Sequence, residues 1–309
     1  MTVLTAAQRT AWEADGYLAP LDGISAAEAA DCAQRLAALL APHGGRADVR
    51  LRNSPHLLLR WMADLIRDPR VLEPVADLLG SDLLVLRTTL FVKPPRDPGT
   101  VAWHQDLAYW DLSSDRTVTA WIAFTDSTTA NGCVRVLPGS HRGPLLDHQL
   151  ARDQHNRLLR GQLVDVDPPP EQIANLELRP GQFSLHHGLT LHSSLGNPSD
   201  TTRAGLAVRF ISPDVRQRSL WPSATLVRGV DRCGHYAHDP APRFDGDPVS
   251  RAWHHRSLRR YAMHLGWQVL RNPSRQHLRL VVRLLRRGDY LRALRDEFAP
   301  ATRKSPHAM

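Results

Sequence analysis

The sequence predicts a mainly β fold with flanking helices, built as a jelly-roll barrel and followed by a basic helical C-terminal tail. Helical periodicity fills the first 80 residues, short apolar and β-branched segments recur between residues 83 and 211, and helical periodicity returns after residue 250. Many short strands separated by turn residues are typical of a barrel or sandwich. The expected domains are therefore a barrel domain at residues 1–250 and a basic helical extension at residues 251–309.

Helices are expected before the barrel. Asp15-Gly16 suits the end of a first helix, because glycine tolerates the left-handed conformation found there. Ser25 and Glu28 form a capping-box pattern that starts a second helix. Helical periodicity continues over residues 56–79 and is interrupted at Asp68-Pro69, where proline removes a backbone donor.

The segments predicted to be strands are β-branched or apolar and end at turn residues. They are residues 83–93, 117–124, 133–137, 182–186 and 203–211. Residues 129–132 are expected to form a hairpin turn. The polar stretch at 144–172 is expected to be either a lid over a site or a plain surface loop. Residues 212–250 are expected to wrap the barrel.

The composition is that of an ordinary globular protein, with 42% hydrophobic and 23% charged residues. No apolar run approaches the roughly 20 residues that span a bilayer, and the N-terminus has no signal-peptide pattern. Cys32, Cys133 and Cys233 are too few and too widely spaced for a disulfide framework, which favours a reducing cytoplasm. Cys133 is expected to pack in the core.

The net charge of +8 is concentrated in the tail. Residues 251–309 contain 14 lysines and arginines against 3 acidic residues, which leaves −3 on residues 1–250. Leu258 and Tyr261 begin one apolar helical face, and arginines recur every fourth residue from Arg275 to Arg287 on another. A solvated face is the first expectation for this stripe. An acidic carrier protein comes second and a membrane surface third. Nucleic acid comes last, because no groove-reading motif is present.

The candidate site is centred on the segment Trp103-His104-Gln105-Asp106. Residues two positions apart on an extended segment point to the same face, so His104 and Asp106 can reach one metal ion together. A histidine from another strand would complete the two-histidine, one-carboxylate set that leaves open positions on non-haem Fe(II).

The third ligand is expected to be His192, although His186 and His187 compete with it. Only His192 is followed eleven positions later by Arg203, whose planar guanidinium offers a fixed cation for a dicarboxylate. Each histidine alone would more often be structural. The combination of His-x-Asp, a distant histidine and an arginine predicts an iron site with a dicarboxylate co-substrate.

Other residues near these motifs have two interpretations each. Because alternate residues of a strand share a face, Arg209 would point the same way as Arg203. It would then bind an anionic substrate group or form an internal salt bridge. Tyr109 and Trp110 would contact the substrate or simply pack in the core. Lys93 is expected to be the solvated end of a strand.

Further motifs occur along the chain in a defined order. They are Lys93-Pro94-Pro95, Trp103 to Trp110, Trp121, Asn131-Gly132-Cys133, Leu137-Pro138-Gly139-Ser140-His141, and His192 with Arg203. Together they resemble the phytanoyl-CoA dioxygenase (PhyH) family of Fe(II)- and 2-oxoglutarate-dependent oxygenases, over roughly residues 10–245. This resemblance implies a double-stranded β-helix, the cupin-like form of the jelly roll.

The resemblance also implies roles for individual residues. The Fe(II) ligands would be His104, Asp106 and His192, and the 2-oxoglutarate contacts would be Arg203, Ser194, Trp121 and Thr89. O2 would be the second co-substrate. In the halogenases of this family a small residue replaces the acidic ligand, so Asp106 implies hydroxylation or a related oxidation.

The resulting hypothesis is an oxygenase that hydroxylates, or otherwise oxidises, an unactivated C–H bond of a small organic molecule in natural-product biosynthesis. One alternative is a non-catalytic cupin-like module that holds a metal or ligand. Another is a hydroxylase that acts on a lipid substrate, or on a substrate tethered to a carrier protein, docked by the basic tail.

Overall fold

The computed structural model describes residues 2–150, 155–158, 162–219 and 221–271. A first compact unit runs from Met1 to His264 and a second from Leu265 to Met309. The arginine stripe of the tail lies outside the described residues, as does part of the polar stretch at 144–172. Their expected roles therefore stay predictions.

The described helices are α1 (Ala6–Asp15), α2 (Ala26–Leu40), α3 (Val49–Arg52), α4 (Arg60–Leu65), α5 (Pro69–Leu79) and α6 (Pro248–Arg271). The first strands are β1 (Tyr17–Asp22), β2 (Leu83–Lys93), β3 (Val101–His104), β4 (Thr117–Ala123), β5 (Val134–Val136), β6 (Gln149–Leu150) and β7 (Gln162–Leu163). They are followed by β8 (Ala174–Leu176), β9 (Gln182–His187), β10 (His192–Ser194), β11 (Arg203–Ile211), β12 (Ser223–Arg228) and β13 (Ala237–His238).

Two sheets form the barrel. The larger has seven strands in the order β1-β9-β4-β11-β2-β12-β13, and the smaller has four in the order β3-β10-β5-β8. Sequence-distant strands are neighbours in both, and within them only β12–β13 is a parallel pair. This confirms the predicted jelly-roll architecture with flanking helices.

The hydrophobic core lies between the helices and the outer face of the larger sheet. Side chains at alternate positions of β4, such as Val118, Ala120 and Ile122, join a core cluster with Leu36 of α2 and Val75 of α5. The positions between them point into the barrel, because side chains alternate along a strand. The helices thus cover one face of the sheet and leave the other free to build a site.

The helix ends follow the sequence signals. The side chain of Ser25 accepts a hydrogen bond from the amide of Glu28, whose carboxylate in turn accepts from the Ser25 amide. Gly16, with φ of +75°, ends α1 in the left-handed conformation. Asp68 caps α5, which has Pro69 at its first position.

The expected hairpin at residues 129–132 is wrong. Thr129–Asn131 is a 3-10 turn and Gly132 takes φ of +78°. The turn leads from β4 in the larger sheet to β5 in the smaller one, so the two flanking strands do not pair. A turn signal identifies a reversal of the chain but not which sheet the next strand joins.

Residues 212–250 contribute more than a wrapping segment. Strand β12 pairs with β2 and extends the larger sheet, and β13 pairs with β12. Helix α6 starts at Pro248 and packs Leu258 and Tyr261 into buried positions.

Cys133 is buried as expected, and the three cysteines are free thiols. Across the part of the chain described, no helix has the length and apolarity needed to cross a membrane.

Candidate active site

Three buried side chains of the metal-ligating type meet inside the barrel. One ligand atom from each of His104, Asp106 and His192 lies within 4.8 Å of the others. Pairing of β3 with β10 sets His192 opposite His104, with ring centroids 4.0 Å apart. Asp106 begins a 3-10 turn just after β3, which brings its carboxylate to the same place. The structure thus brings together the three predicted ligands.

Both histidines are held with one ring nitrogen free. Nδ1 of His104 lies 2.9 Å from the carbonyl oxygen of Ala102, and Nδ1 of His192 lies 2.9 Å from that of Thr190. A carbonyl oxygen can only accept, so each Nδ1 carries the proton and each Nε2 keeps its lone pair. Burial lowers the pKa of His104 to about 4 and that of His192 well below its ordinary value, so both rings are neutral near pH 7.

The carboxylate of Asp106 has two differently used oxygens. Oδ1 lies 3.9 Å from Nε2 of His104 and 4.0 Å from Nε2 of His192. Oδ2 accepts a 2.7 Å hydrogen bond from Thr119 Oγ1. Burial alone would raise the pKa of Asp106, but the charge of Arg209 and the neighbouring His186 hold it well below its usual range. One oxygen thus faces the histidines while the other is anchored.

The anchoring groups form a row across the larger sheet. His186 on β9 pairs with Thr119 on β4, Thr119 with Arg209 on β11, and Arg209 with Arg87 on β2. Arg209 Nε lies 3.4 Å from Asp106 Oδ2, and His186 Nε2 lies 3.6 Å from the same oxygen. Thr119, Arg209 and His186 thus surround Oδ2 of Asp106, and Arg209 forms the internal salt bridge that is one of its two interpretations.

The competing histidines occupy other positions. His186 is buried beside Asp106, and neither of its ring nitrogens has a hydrogen-bond partner among the described residues. His187 points the other way along β9, where its ring meets Trp12 and His141. His187 is therefore separated from the metal-ligating group, whereas His186 touches its edge.

A first cavity joins the histidines to a buried cationic end. Arg203, Ser194 and Trp121 line it, together with His104 and His192. The Arg203 guanidinium lies 4.1 Å from the centroid of the Trp121 ring, and its Nε donates to Ser127 Oγ at 3.3 Å. Its Nη2 has no partner among the described residues.

Lys93 lies beside Arg203 rather than in solvent. It pairs with Arg203 across β2 and β11, is 1% exposed, and its Nζ donates to Ser194 Oγ and to the carbonyl oxygen of Leu195. Burial, followed by the charge of Arg203, lowers the pKa of Lys93 to about 6. The expectation of a solvated strand end was wrong: Lys93 is the last residue of β2, but its side chain turns inward against Ser194 and Leu195 and is buried there.

A second cavity is also bordered by His104 and Asp106 of the same group. Its lining includes Thr89 and the predicted aromatic residues Tyr109 and Trp110. Thr89 is absent from the described lining of the first cavity, so its contact with a co-substrate stays a prediction. Tyr109 and Trp110 are both buried and face this space, which is compatible with either packing or substrate contact.

Sequence reasoning missed several polar residues around the group. Thr119, Ser127 and Arg87 lie in strands or turns with no motif of their own. Thr119 could have been found by alternation, since it is two positions before Trp121 and shares its face. Its contact with Asp106 depends on the packing of one sheet on the other, for which the sequence carries no local signal.

Comparisons with known proteins agree with this geometry. The family model for phytanoyl-CoA dioxygenase (PhyH) matches residues 12–205. An ectoine dioxygenase of Streptomyces avermitilis is 30% identical over 223 residues, which cover 67% of this chain and 70% of that protein. A probable phytanoyl-CoA dioxygenase of Caenorhabditis elegans is 32% identical over 157 residues, and the match spans 48% of this chain and about half (49%) of that relative.

A solved structure gives the same architecture. The apo form of ThoJ, described as a non-haem monooxygenase, superposes with a TM-score of 0.75 at 30% identity, over 85% of this chain and 99% of that one. The order of motifs, the two-sheet barrel and the family match agree. The chain belongs to the phytanoyl-CoA dioxygenase (PhyH) family of Fe(II)- and 2-oxoglutarate-dependent oxygenases.

Proposed function

We propose that the protein is a non-haem Fe(II)- and 2-oxoglutarate-dependent oxygenase that oxidises a C–H bond of a small organic molecule. The observation that supports this most is the buried group of His104, Asp106 and His192 at one end of a cavity whose other end is Arg203. A metal-ligating group and a cation for a dicarboxylate are the two halves of such a site.

The donor set fits Fe(II). Two neutral imidazole nitrogens and one carboxylate oxygen are the ligands that leave positions open for a co-substrate and oxygen. The carbonyl groups that hold each Nδ1–H, and the hydroxyl of Thr119 on Asp106, keep the three donors aimed at one point. Support of this kind typically matters 10- to 100-fold in metal affinity.

The cationic end of the first cavity suits the distal carboxylate of 2-oxoglutarate. Arg203 has a donor nitrogen with no partner among the described residues, and it is fixed between Trp121 and Ser127. Two buried basic groups side by side, Arg203 and Lys93, cannot both be charged at low cost unless an anion lies beside them. A carboxylate bound there would gain charge-assisted hydrogen bonds in a site of low dielectric constant.

Iron bound by this group would supply oxygen activation coupled to oxidative decarboxylation of 2-oxoglutarate to succinate and CO2. The protein positions the metal and the co-substrate and keeps water out of the site. His104 and His192 would bind the metal through Nε2, Arg203 with Ser194 and Lys93 would orient the co-substrate, and the buried aromatic residues would exclude water. The substrate would lie in the second cavity, with the C–H bond to be oxidised facing the metal site.

The reaction is proposed to be a hydroxylation or a related oxidation rather than a halogenation. Asp106 occupies the ligand position, and its Oδ2 is held by Thr119 and Arg209. A halide would need that position vacated. A module without turnover remains the second candidate, but it gives no reason for a buried arginine with an unpartnered donor at the end of the cavity and a buried lysine beside it.

Turnover of 2-oxoglutarate tests this proposal. Succinate is measured in the presence of Fe(II), ascorbate, oxygen and a panel of small molecules, for the wild type and for His104→Ala. His238→Ala, at an exposed histidine paired with Asp231, is the matched control. We expect succinate from the wild type and the control and none from His104→Ala. If the wild type forms no succinate and binds neither Fe(II) nor 2-oxoglutarate, the proposal is wrong.

A further inference from the structure

The second cavity carries more positive charge than its surroundings neutralise. Arg52, Arg87 and Arg209 all line it, and Asp106 is the one carboxylate in its described lining. Asp106 already pairs with Arg209 and, in the proposed function, also binds the metal. The charges of Arg87 and Arg52 are left for another partner.

Arg87 has the lower exposed fraction of these two arginines. It is 8% exposed, and its Nε and Nη1 have no hydrogen-bond partner in the described part of the chain. No carboxylate of the described residues forms a salt bridge with it. It also stands directly opposite Arg209 in the β2–β11 pairing, and like charges at such positions destabilise a sheet.

The nearby Asp239 is committed elsewhere. Its carboxylate accepts hydrogen bonds from Trp253 Nε1 and from Thr225 Oγ1. Burial raises the pKa of Asp239, and the charge of Arg87 only partly opposes this. Asp239 therefore interacts electrostatically with Arg87 but forms no salt bridge with it among the described contacts.

Aromatic contacts offset part of the cost of burying Arg87. Its guanidinium lies 4.2 Å from the Tyr261 ring centroid and 5.7 Å from that of Trp110. Such contacts recover only part of the cost of burying an ion that has no anionic partner. The aromatic residues fix the direction of the guanidinium but do not replace an anion.

Arg52 stands at the other side of the same cavity. Its Nη2 donates to the carbonyl oxygen of Arg157, and its guanidinium lies 5.5 Å from the Phe91 ring centroid. Burial, followed by the charges of Arg157 and Arg209, lowers the pKa of Arg52 to about 10. On each side of the second cavity, therefore, an arginine lies close to another arginine: Arg87 beside Arg209, and Arg52 beside Arg157.

We propose that the second cavity binds an oxyanion group of the substrate, a carboxylate or a phosphate, between Arg87 and Arg52, with Trp110 and Tyr261 against its apolar part. This inference rests on the proposed function and names the class of substrate. Tyr261 comes from α6, beyond the residues 12–205 that match the family model. Recognition of the substrate therefore draws on a part of the chain outside the matched region.

The test uses three probes of similar size on the full chain. They are 3-phenylpropionate, phenyl phosphate and the neutral 3-phenylpropan-1-ol, titrated by calorimetry into protein loaded with Fe(II) and saturating 2-oxoglutarate without oxygen. Saturation keeps the probes away from Arg203. We expect at least one anion to bind about tenfold or more tightly than the alcohol. The tighter of the two anions assigns the carboxylate or the phosphate class.

Variants then locate the binding. Arg87→Gln should weaken anion binding about tenfold or more and leave the alcohol unchanged, and Arg52→Gln provides a second variant if the first fails to fold. Arg96→Gln, at an exposed arginine paired with Asp200, is the control. Thermal unfolding of Arg87→Met without probes separates binding from structure. An unpartnered cation predicts equal or higher stability, and a structural role predicts a loss.

The outcomes separate this inference from the proposed function. If the wild type binds 2-oxoglutarate but prefers neither anion over the alcohol, or binds no probe at millimolar concentration, the inference fails alone. If 2-oxoglutarate does not bind, the proposed function fails. Phenyl phosphate binding that is lost in Arg87→Gln would then still establish the anion site.

Discussion

Thr119 Oγ1 donates a 2.7 Å hydrogen bond to Oδ2 of Asp106, which leaves Oδ1 as the carboxylate oxygen that faces His104 and His192. Asp106 follows β3 of the smaller sheet, and Thr119 lies on β4 of the larger sheet, so the contact depends on how the two sheets pack. This contact links the larger sheet to the proposed iron ligands of the smaller one.

Removal of that hydroxyl should weaken metal binding. We expect Thr119→Val, which keeps the shape of the side chain, to lower Fe(II) affinity by roughly 10- to 100-fold, because Asp106 loses the donor that orients it. Thr119→Ser should restore most of the affinity. Anaerobic Fe(II) titration measures both, and equal affinity of wild type and Thr119→Val would contradict this role.

Replacement of Arg203 should act on the co-substrate and spare the metal. Arg203→Gln removes a charge-assisted contact, typically 1.5–3 kcal/mol, so the Kd for 2-oxoglutarate should rise by roughly 10- to 100-fold. Arg203→Lys should recover little of this, because an ammonium does not reproduce the planar pair of donors. Calorimetry with 2-oxoglutarate checks the result, with Arg96→Gln as control. Loss of Fe(II) binding in Arg203→Gln would point instead to a structural role.

Binding of 2-oxoglutarate should take up a proton at Lys93. Its pKa of about 6, lowered by burial and by Arg203, leaves it mostly neutral above pH 7. A carboxylate beside it favours the charged form and raises that pKa. Uptake should therefore appear above about pH 6 and vanish below it, where Lys93 is already protonated.

Calorimetry at pH 7.5 in buffers of different ionisation enthalpy measures this uptake. The wild type should take up a fraction of a proton, approaching one, per 2-oxoglutarate bound. In Lys93→Met the uptake should disappear and the affinity should fall. The same uptake in wild type and variant would show that the proton goes to another group.

Gly205 should be intolerant of even one added methyl group. A Cβ at this position would overlap ring atoms of Trp121, on which the Arg203 guanidinium rests. We expect Gly205→Ala to cost about 1–3 kcal/mol of stability through overpacking and to weaken 2-oxoglutarate binding by displacing Trp121. Urea unfolding and a 2-oxoglutarate titration measure the two effects. Unchanged values for both would show that the ring moves aside freely.

Residue spacing and strand alternation in the sequence predicted which side chains share one face of a strand. The His-x-Asp spacing placed His104 and Asp106 together because one extended segment carries both. Alternation along β11 placed Arg209 on the same face as Arg203. The strand at residues 203–211 was predicted with the bounds that the structure has.

The sequence did not predict the register between strands or which sheet each strand joins. Strand β1 was missed, because its segment, Tyr17–Asp22, is short and contains Pro20. The burial of Lys93 depends on its pairing with Arg203, and the row from His186 to Arg87 depends on the registers of four strands. Likewise, nothing in the helical periodicity of α6 indicates that Tyr261 contacts Arg87.

The most direct test of the central claim is an anaerobic titration of 2-oxoglutarate into Fe(II)-loaded protein, followed by the metal-to-ligand charge-transfer absorbance. The wild type should develop the band, His104→Ala and His192→Ala should not, and His186→Ala should keep it. A band that survives in His192→Ala but is lost in His186→Ala would contradict the assigned third ligand. A wild type that develops no band would contradict the iron and 2-oxoglutarate site itself.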